Sequence, residues 1–590
     1  MNCHYKVVLK FLSIKVRPER PTGRILVARG FIPRWVCIPN PIANHEGRRY
    51  KYRRRRRLHL TIITINMEKV FIYDTTLRDG SQGEGISFSL QDKLAITLKL
   101  DDLGVDYIEG GYPIANPKDE SYFHEVKSLK LRHAKIASFG STRRADKRVE
   151  EDKNVKALLQ AETPVVTIVG KSWDFQVTDV LKISLDENLK MVADTIAYLK
   201  SKGREVFFDA EHFFDGYKKN HAYALKVALT AQSAGADAIV LCDTNGGSLP
   251  DEISGIVREV KKNTPGMLSI HVHNDGDLAV ANTLAAVEQG VRQVQGTING
   301  IGERCGNADL CSVIANLVLK KGFLCLESGE LKKLTEISRY IYEVANLLLR
   351  PNQPFVGASA FAHKGGLHVN AVRKSKLTYE HIAPESVGNE RKILISELSG
   401  SSTILAKVEK FKLTHDAGLM RSILEEVQNL ENEGYQFESA EASFELLARK
   451  KIGRYQRFFD LEGYRVIVEG REKVSPVTEA TVKIKVDGLQ ELCASEGSGP
   501  INALDSALRK ALERFYPSLR DMKLVDYKVR VINPRKGTAA KVRVIIESQD
   551  KEGVWNTVGV SENVIEASWH ALVDSIEYKL IKELERTRPL

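Results

Sequence analysis

Two histidines two positions apart, His271 and His273 in the run HVHND, carry the sharpest chemical signal in the chain. On a strand, a period of two turns both imidazoles to one face with Cα atoms ~6–7 Å apart, a span that can close on one metal ion. Histidine pairs in strands also serve as plain core structure, so the pair needs company. The segment Thr75, Thr76, Leu77, Arg78, Asp79, Gly80 provides it by bringing a carboxylate and a guanidinium to the end of an apolar run. Two imidazoles and Asp79 make a three-ligand set with open positions. A 2-keto acid can fill those positions through its carbonyl and carboxylate oxygens, which leaves Arg78 to stabilise charge developing on the carbonyl oxygen. The competing account of Arg78 and Asp79 is a salt bridge within a turn. A third segment, GTINGIGERCGNADL at 296–310, has glycines that let backbone approach a ligand closely.

The elements that must hold these groups follow from periodicity. Eight short β-rich runs, VFIYDT, YIEGGY, KIASFG, VVTIVG, EVFFDA, AIVLCD, LSIHVHN and RQVQGTING, alternate with amphipathic helical stretches between residues 70 and 319. Eight βα units predict an α/β fold, a (β/α)₈ TIM barrel, with a doubly wound open sheet as the alternative. The barrel is favoured because charged and polar groups cluster at the C-terminal ends of the runs. There the three segments meet, after the first, seventh and eighth strands.

The 590 residues exceed what one core organises, since single cores stop growing near ~250–300 residues. The expected division is a catalytic barrel at 67–325, a helical linker region at 326–455 and a C-terminal α+β regulatory or dimerisation domain at 456–590. The last contains an internal repeat. Strand ATVKIKV at 480–486 matches AKVRVII at 540–546, and helix positions Leu504, Ala507, Leu508 and Ala511 match Ile565, Ser568, Trp569 and Leu572 at an offset of 61 residues. Such a pseudo-twofold module suits pairing between chains, with or without a small effector.

The net charge of +11 belongs to the first 66 residues, which hold 16 Lys/Arg against 2 acidic residues and include RRYKYRRRRR at Arg48 to Arg57. The remainder balances 71 basic against 74 acidic residues, so a nucleic-acid reading of the folded body loses its support. Residues 1–66 are expected to be disordered, a leader, or an over-long start ahead of Met67. Seven irregularly spaced cysteines give no disulfide framework and no CxxC metal spacing. No apolar run reaches the ~20 residues of a membrane span, so a cytoplasmic protein without membrane or nucleic-acid partners is expected.

DTTLRDGSQ, HVHND and NGIGERCGN resemble the signatures of the metal-dependent Claisen-condensing barrels, the family of 2-isopropylmalate, homocitrate and citramalate synthases. Within it, EGGYPIANPKD, GKSWDF, DAEHFFDGY, CDTNGG and ELSGSS are most similar to the citramalate branch, over about residues 67–590. The resemblance implies an acyltransferase that condenses acetyl-CoA with pyruvate, with 2-ketoisovalerate as the alternative keto acid. It implies Asp79, His271 and His273 as ligands of a divalent metal, Mg²⁺ or Mn²⁺ with Zn²⁺ possible, and Asn307 as a fourth. Arg78 would polarise the keto carbonyl and Thr244 would bond the keto-acid carboxylate. Glu109 and Glu211 would face the pocket as substrate-binding and catalytic groups, ion pairing being their other reading.

The base that deprotonates acetyl-CoA is implied to be His368 in FAHKGGLHVNAV, with His363 the second choice, often acting across a dimer. Where isopropylmalate synthases carry a tyrosine after VGR, this chain reads VGNERK with Arg391, so that tyrosine's role does not transfer. Cys305 has no neighbouring base in sequence and is not read as a nucleophile. A homodimer regulated by isoleucine completes the expectation.

Overall fold

The computed structural model describes residues 68–395, 404, 417–471 and 474–587, together with the backbone of a short antiparallel pairing between Arg24–Val27 and Ile63–Asn66. The rest of the basic N-terminal extension and the ELSGSS segment lie outside the described residues. The chain divides into two compact units: residues 1–349 with Pro354–Val356, and Arg350–Gln353 with Gly357–Leu590.

The first unit is a closed barrel of eight parallel strands, β1 Phe71–Asp74, β2 Tyr107–Gly111, β3 Lys135–Ser141, β4 Val165–Lys171, β5 Glu205–Glu211, β6 Ala238–Asp243, β7 Met267–Val272 and β8 Gln293–Gly296. They pair in chain order, and β8 closes on β1 with Gln293 opposite Phe71 and Gly296 opposite Asp74. Tyr73, Tyr107, Ala137, Val165, Phe207, Ala238, Val240 and Cys242 fill the bore, with the Tyr107 and Phe207 rings edge to face at 5.1 Å. Burial of each such large side chain stabilises by about 1.5–3 kcal/mol and makes the barrel floor rigid.

Local signals set the helix ends. Helix Leu90–Leu103 starts in a capping box, in which the Ser89 hydroxyl accepts from the Asp92 N–H and the Asp92 carboxylate accepts from the Ser89 N–H. It stops at Gly104, whose φ of 89° takes the chain out of the helix. Helix Leu334–Val344 was expected in the linker region but belongs to the barrel unit. Its Ser338 exchanges bonds with Asn299: the Asn299 amide donates to the Ser338 carbonyl at 2.8 Å, and the Ser338 hydroxyl donates back at 2.5 Å. An amphipathic pattern fixes which face is buried but not which body buries it.

The second unit has helices Ala417–Glu433 and Glu441–Ile452, followed by two βββα copies. The first copy is the antiparallel sheet Asp460–Arg471, Val474–Val486, Leu489–Gly497 and helix Pro500–Leu512. The second is Lys523–Val531, Val542–Gln549, Val554–Ser561 and helix Val564–Thr587. The two repeated strand motifs are the central strands of the two sheets. Their matching helices bury Leu504, Ala507, Leu508, Ser568 and Leu572, as the shared offset requires. Trp569 from the second copy stacks on Tyr464 of the first at 5.0 Å, which ties the copies into one core. Among the described residues no helix is long and apolar enough to cross a membrane.

Candidate active site

The chain leaves β1 through Asp74, whose buried carboxylate accepts the Thr76 N–H and hydroxyl, each at 2.9 Å. This turn carries Arg78 and Asp79 to the C-terminal mouth of the barrel. There Asp79 Oδ2 lies 3.2 Å from His271 Nε2 and 3.9 Å from His273 Nε2, and all three residues are buried. His271 is on β7, while His273 stands one residue past it, where a β-bridge joins it to Asn307 in the loop after β8.

Charge in this cluster is unevenly shared. Burial alone would raise the Asp79 pKa, but Arg78 and the two imidazoles overturn that and hold its carboxyl well below the usual range. His273 falls to about 4 because it is buried and faces His271. Burial opposes protonation of His271 too, yet its bond to Asp79 outweighs burial and raises its pKa.

These residues fit a cation. One ligand atom from each of Asp79, His271 and His273 lies within 4.8 Å of the others, and Asn307 Oδ1 is buried without a hydrogen-bond partner among the described residues. Two imidazole nitrogens, a carboxylate and an amide oxygen are a donor set for a borderline or hard divalent metal. Behind them, Gln295 Oε1 sits 3.1 Å from His271 Nδ1, which leaves Nε2 as the nitrogen facing Asp79. The loop holding Asn307 needs its glycine: a Cβ on Gly306 (φ 87°) would lie 1.9 Å from the Gly300 carbonyl oxygen.

Arg78 is braced from below. Its Nε donates to Glu109 Oε2 at 2.5 Å, its guanidinium lies 4.0 Å from the Phe139 ring centroid, and its Nη2 is 3.6 Å from Asp79. The other Glu109 oxygen accepts the Tyr73 hydroxyl at 2.8 Å. Glu109 is fully buried with both oxygens engaged, one by Arg78 and the other by Tyr73. Glu211 likewise pairs with Lys171, its in-register neighbour across β4 and β5. Thr244, just past β6, accepts the His212 N–H on its hydroxyl oxygen at 2.8 Å.

Sequence reasoning missed Gln295 and Asp209. The Gln295 amide nitrogen is 3.5 Å from Asp209 Oδ1, and burial, with Glu109 close by, pushes the Asp209 carboxyl up to about 7. The available signal was a polar residue at an inward position of an apolar strand, QVQG and FFDAE.

His368 and His363 belong to the second unit. His368 is exposed on helix Gly366–Lys374 and stacks on Tyr379 at 4.1 Å. His363 is buried, with Nε2 3.2 Å from Glu380 Oε1, and Arg391 holds both oxygens of that same carboxylate. Cys305 is exposed and unpaired as a disulfide.

A closed parallel barrel with Asp and two His at its mouth, carrying a trailing βββα pair, defines a class. The chain matches the HMGL-like family model over residues 69–341, the homocitrate synthase post-HMGL domain-like model over 355–435, and the LeuA allosteric (dimerisation) domain over 438–580. An (R)-citramalate synthase from Aquifex aeolicus is 56% identical over 522 residues, covering 88% of this chain and 99% of that one. One from Geobacter sulfurreducens matches to the same extent. A 2-isopropylmalate synthase from Methanocaldococcus jannaschii is 33% identical over 521 residues, covering 87% of this chain and 95% of that one. The chain belongs to the (R)-citramalate synthases, within the 2-isopropylmalate and homocitrate synthase family.

Proposed function

We propose that the chain condenses acetyl-CoA with pyruvate and water to give (R)-citramalate and free CoA. The observation that carries this reading is the identity gap: five relatives named (R)-citramalate synthase stand at 48–56%, against 33% for a 2-isopropylmalate synthase and 30% for a protein named only a putative (R)-citramalate synthase. The assembled Asp79, His271 and His273 cluster supports the same chemistry.

A divalent cation held by Asp79, His271 and His273, with Asn307 as a further donor, supplies Lewis acidity to the keto acid when bound. Arg78, whose Nε is fixed on Glu109, offers its remaining N–H groups to the oxygen on which negative charge grows. Thr244 donates its hydroxyl to the pyruvate carboxylate. His368 removes a proton from the acetyl methyl group, and the resulting carbon nucleophile attacks the keto carbon. Water then cleaves the thioester and releases the CoA thiol. Glu211 acts at the rim through its pair with Lys171.

The enzyme works as a homodimer in the cytoplasm and supplies isoleucine synthesis, with isoleucine as the effector of the C-terminal module. The LeuA dimerisation match supports the pairing, as do the exposed apolar strand residues Val477, Leu489 and Leu492.

The test follows free thiol with pyruvate, 2-ketoisovalerate or 2-oxoglutarate, with and without EDTA and isoleucine. Pyruvate-dependent, EDTA-sensitive release is the expected result. Preference for 2-ketoisovalerate would overturn the substrate while keeping the chemistry.

A further inference from the structure

Beside the site stands a residue with strained backbone and no role in the chemistry above. His212 follows Glu211 at the end of β5 with φ 55° and ψ 34°, the left-handed region, which side chains with a Cβ avoid unless their surroundings impose it. Three contacts impose it here. The His212 N–H donates to Thr244 Oγ1 at 2.8 Å, its Nδ1 lies 3.2 Å from Asp215 Oδ2, and its ring is 5.8 Å from that of Trp173. Asp215 Oδ2 also accepts the amide of Asn245, the residue after Thr244, at 2.9 Å.

The approach of Trp173 depends on Gly216, where a Cβ would meet the Ser172 carbonyl oxygen at 2.7 Å and Trp173 Cα at 2.9 Å. From the opposite side Arg304, anchored on Asp275, donates to the Thr244 carbonyl at 2.7 Å.

These bonds converge on one hydroxyl. Thr244 Oγ1 already accepts from the His212 main chain, so its own hydrogen is directed elsewhere, and among the described residues no acceptor for it is present. A donor held in this way is suited to a carboxylate oxygen.

We propose that the His212–Asp215 pair is a positioning device for the keto acid, locking the left-handed turn so that the His212 N–H aims the Thr244 hydroxyl at the substrate carboxylate. The proposal rests on the reading of Thr244 as the carboxylate contact. His212 and Asp215 themselves touch no reacting atom, so they act on how pyruvate is held and not on how acetyl-CoA is deprotonated.

The experiment is a kinetic cycle on the full-length, metal-loaded enzyme with His212→Ala, His212→Asn, Asp215→Ala, Asp215→Asn, Thr244→Val and the double variant His212→Ala/Thr244→Val. His212→Ala and Asp215→Ala should raise the KM for pyruvate about tenfold and leave the KM for acetyl-CoA within about twofold. His212→Asn should recover most of the loss, because asparagine tolerates the left-handed region and can still bond Asp215. In the Thr244→Val background, His212→Ala should add less than about twofold, the sign that one residue acts through the other.

Equal rises in both KM values, or effects that multiply in the double variant, would overturn the proposal. A parental pyruvate KM for His212→Ala beside an impaired Thr244→Val would overturn it while sparing the Thr244 reading. A parental KM for Thr244→Val would remove that reading and the proposal together. If the alanine variants fail to fold, Asp215→Asn decides: a rise in the pyruvate KM alone supports the proposal, and a parental pyruvate KM or equal rises in both KM values overturn it.

Discussion

His271 Nε2 and His273 Nε2 stand 3.3 Å apart beside the Asp79 carboxylate, closer than two nitrogen lone pairs settle without a proton or a cation between them. Metal removal tests this arrangement directly. The parent enzyme should carry about one divalent ion per chain by elemental analysis and lose thiol release in EDTA; Asp79→Ala should bind little metal at any concentration tried. Full metal content in Asp79→Ala would sink the assignment.

Gln295 orients His271 without reaching the ligand position itself. Gln295→Leu should therefore weaken metal affinity by about 10–100-fold, read by chelator competition, while saturating metal restores most activity. Unchanged affinity would reduce Gln295 to bore filling.

Arg78 and Glu109 form a buried pair at the base of the site. Glu109→Ala strands the guanidinium and should destabilise the barrel by about 3–5 kcal/mol in urea titrations. Arg78→Lys keeps charge but not the fixed fork, and should lower kcat by about 10²–10³ with metal content unchanged.

A pH effect is expected in the second unit. Burial pushes the Asp574 carboxyl up to about 6, against the opposing pull of Lys450 and of the Ser443 hydroxyl, which donates to it at 2.7 Å. A raised carboxyl binds more protons folded than unfolded, so its contribution to stability is present at low pH and lost as pH rises through about 4 to 6. Asp574→Asn should flatten the fall in unfolding midpoint over that range, whereas an unchanged slope would place the titration elsewhere.

Keto-acid choice should be graded by size. If the pocket is shaped for a methyl group, kcat/KM for 2-ketoisovalerate should fall below that for pyruvate by about 10–200-fold for each added methylene equivalent. Parity between the two acids would contradict the substrate reading.

Much of this was legible in sequence because it lies in local pattern. AIVLCD marks β6 to the residue, and HVHND places its two imidazoles as a period of two requires. Partners set by strand register were less accessible. Lys171 meets Glu211 only because β4 and β5 align residue for residue, and Tyr73 meets Glu109 only inside the closed bore. Gln295 looked like any polar strand residue until β8 was laid beside β7, opposite His271. The strain at His212 leaves no trace in composition, since the left-handed turn is imposed by neighbours 3 to 39 positions away.

The closing seam of the barrel carries a consequence for how the molecule comes into being. Asp79 follows the first strand and His271 lies on the seventh, and the eighth strand is what brings them face to face. On the proposed metal reading, a chain emerging during synthesis therefore keeps these groups apart until the segment through Asn307 has been made and docked. On that reading, a fragment that ends before Asn307 lacks the complete donor set.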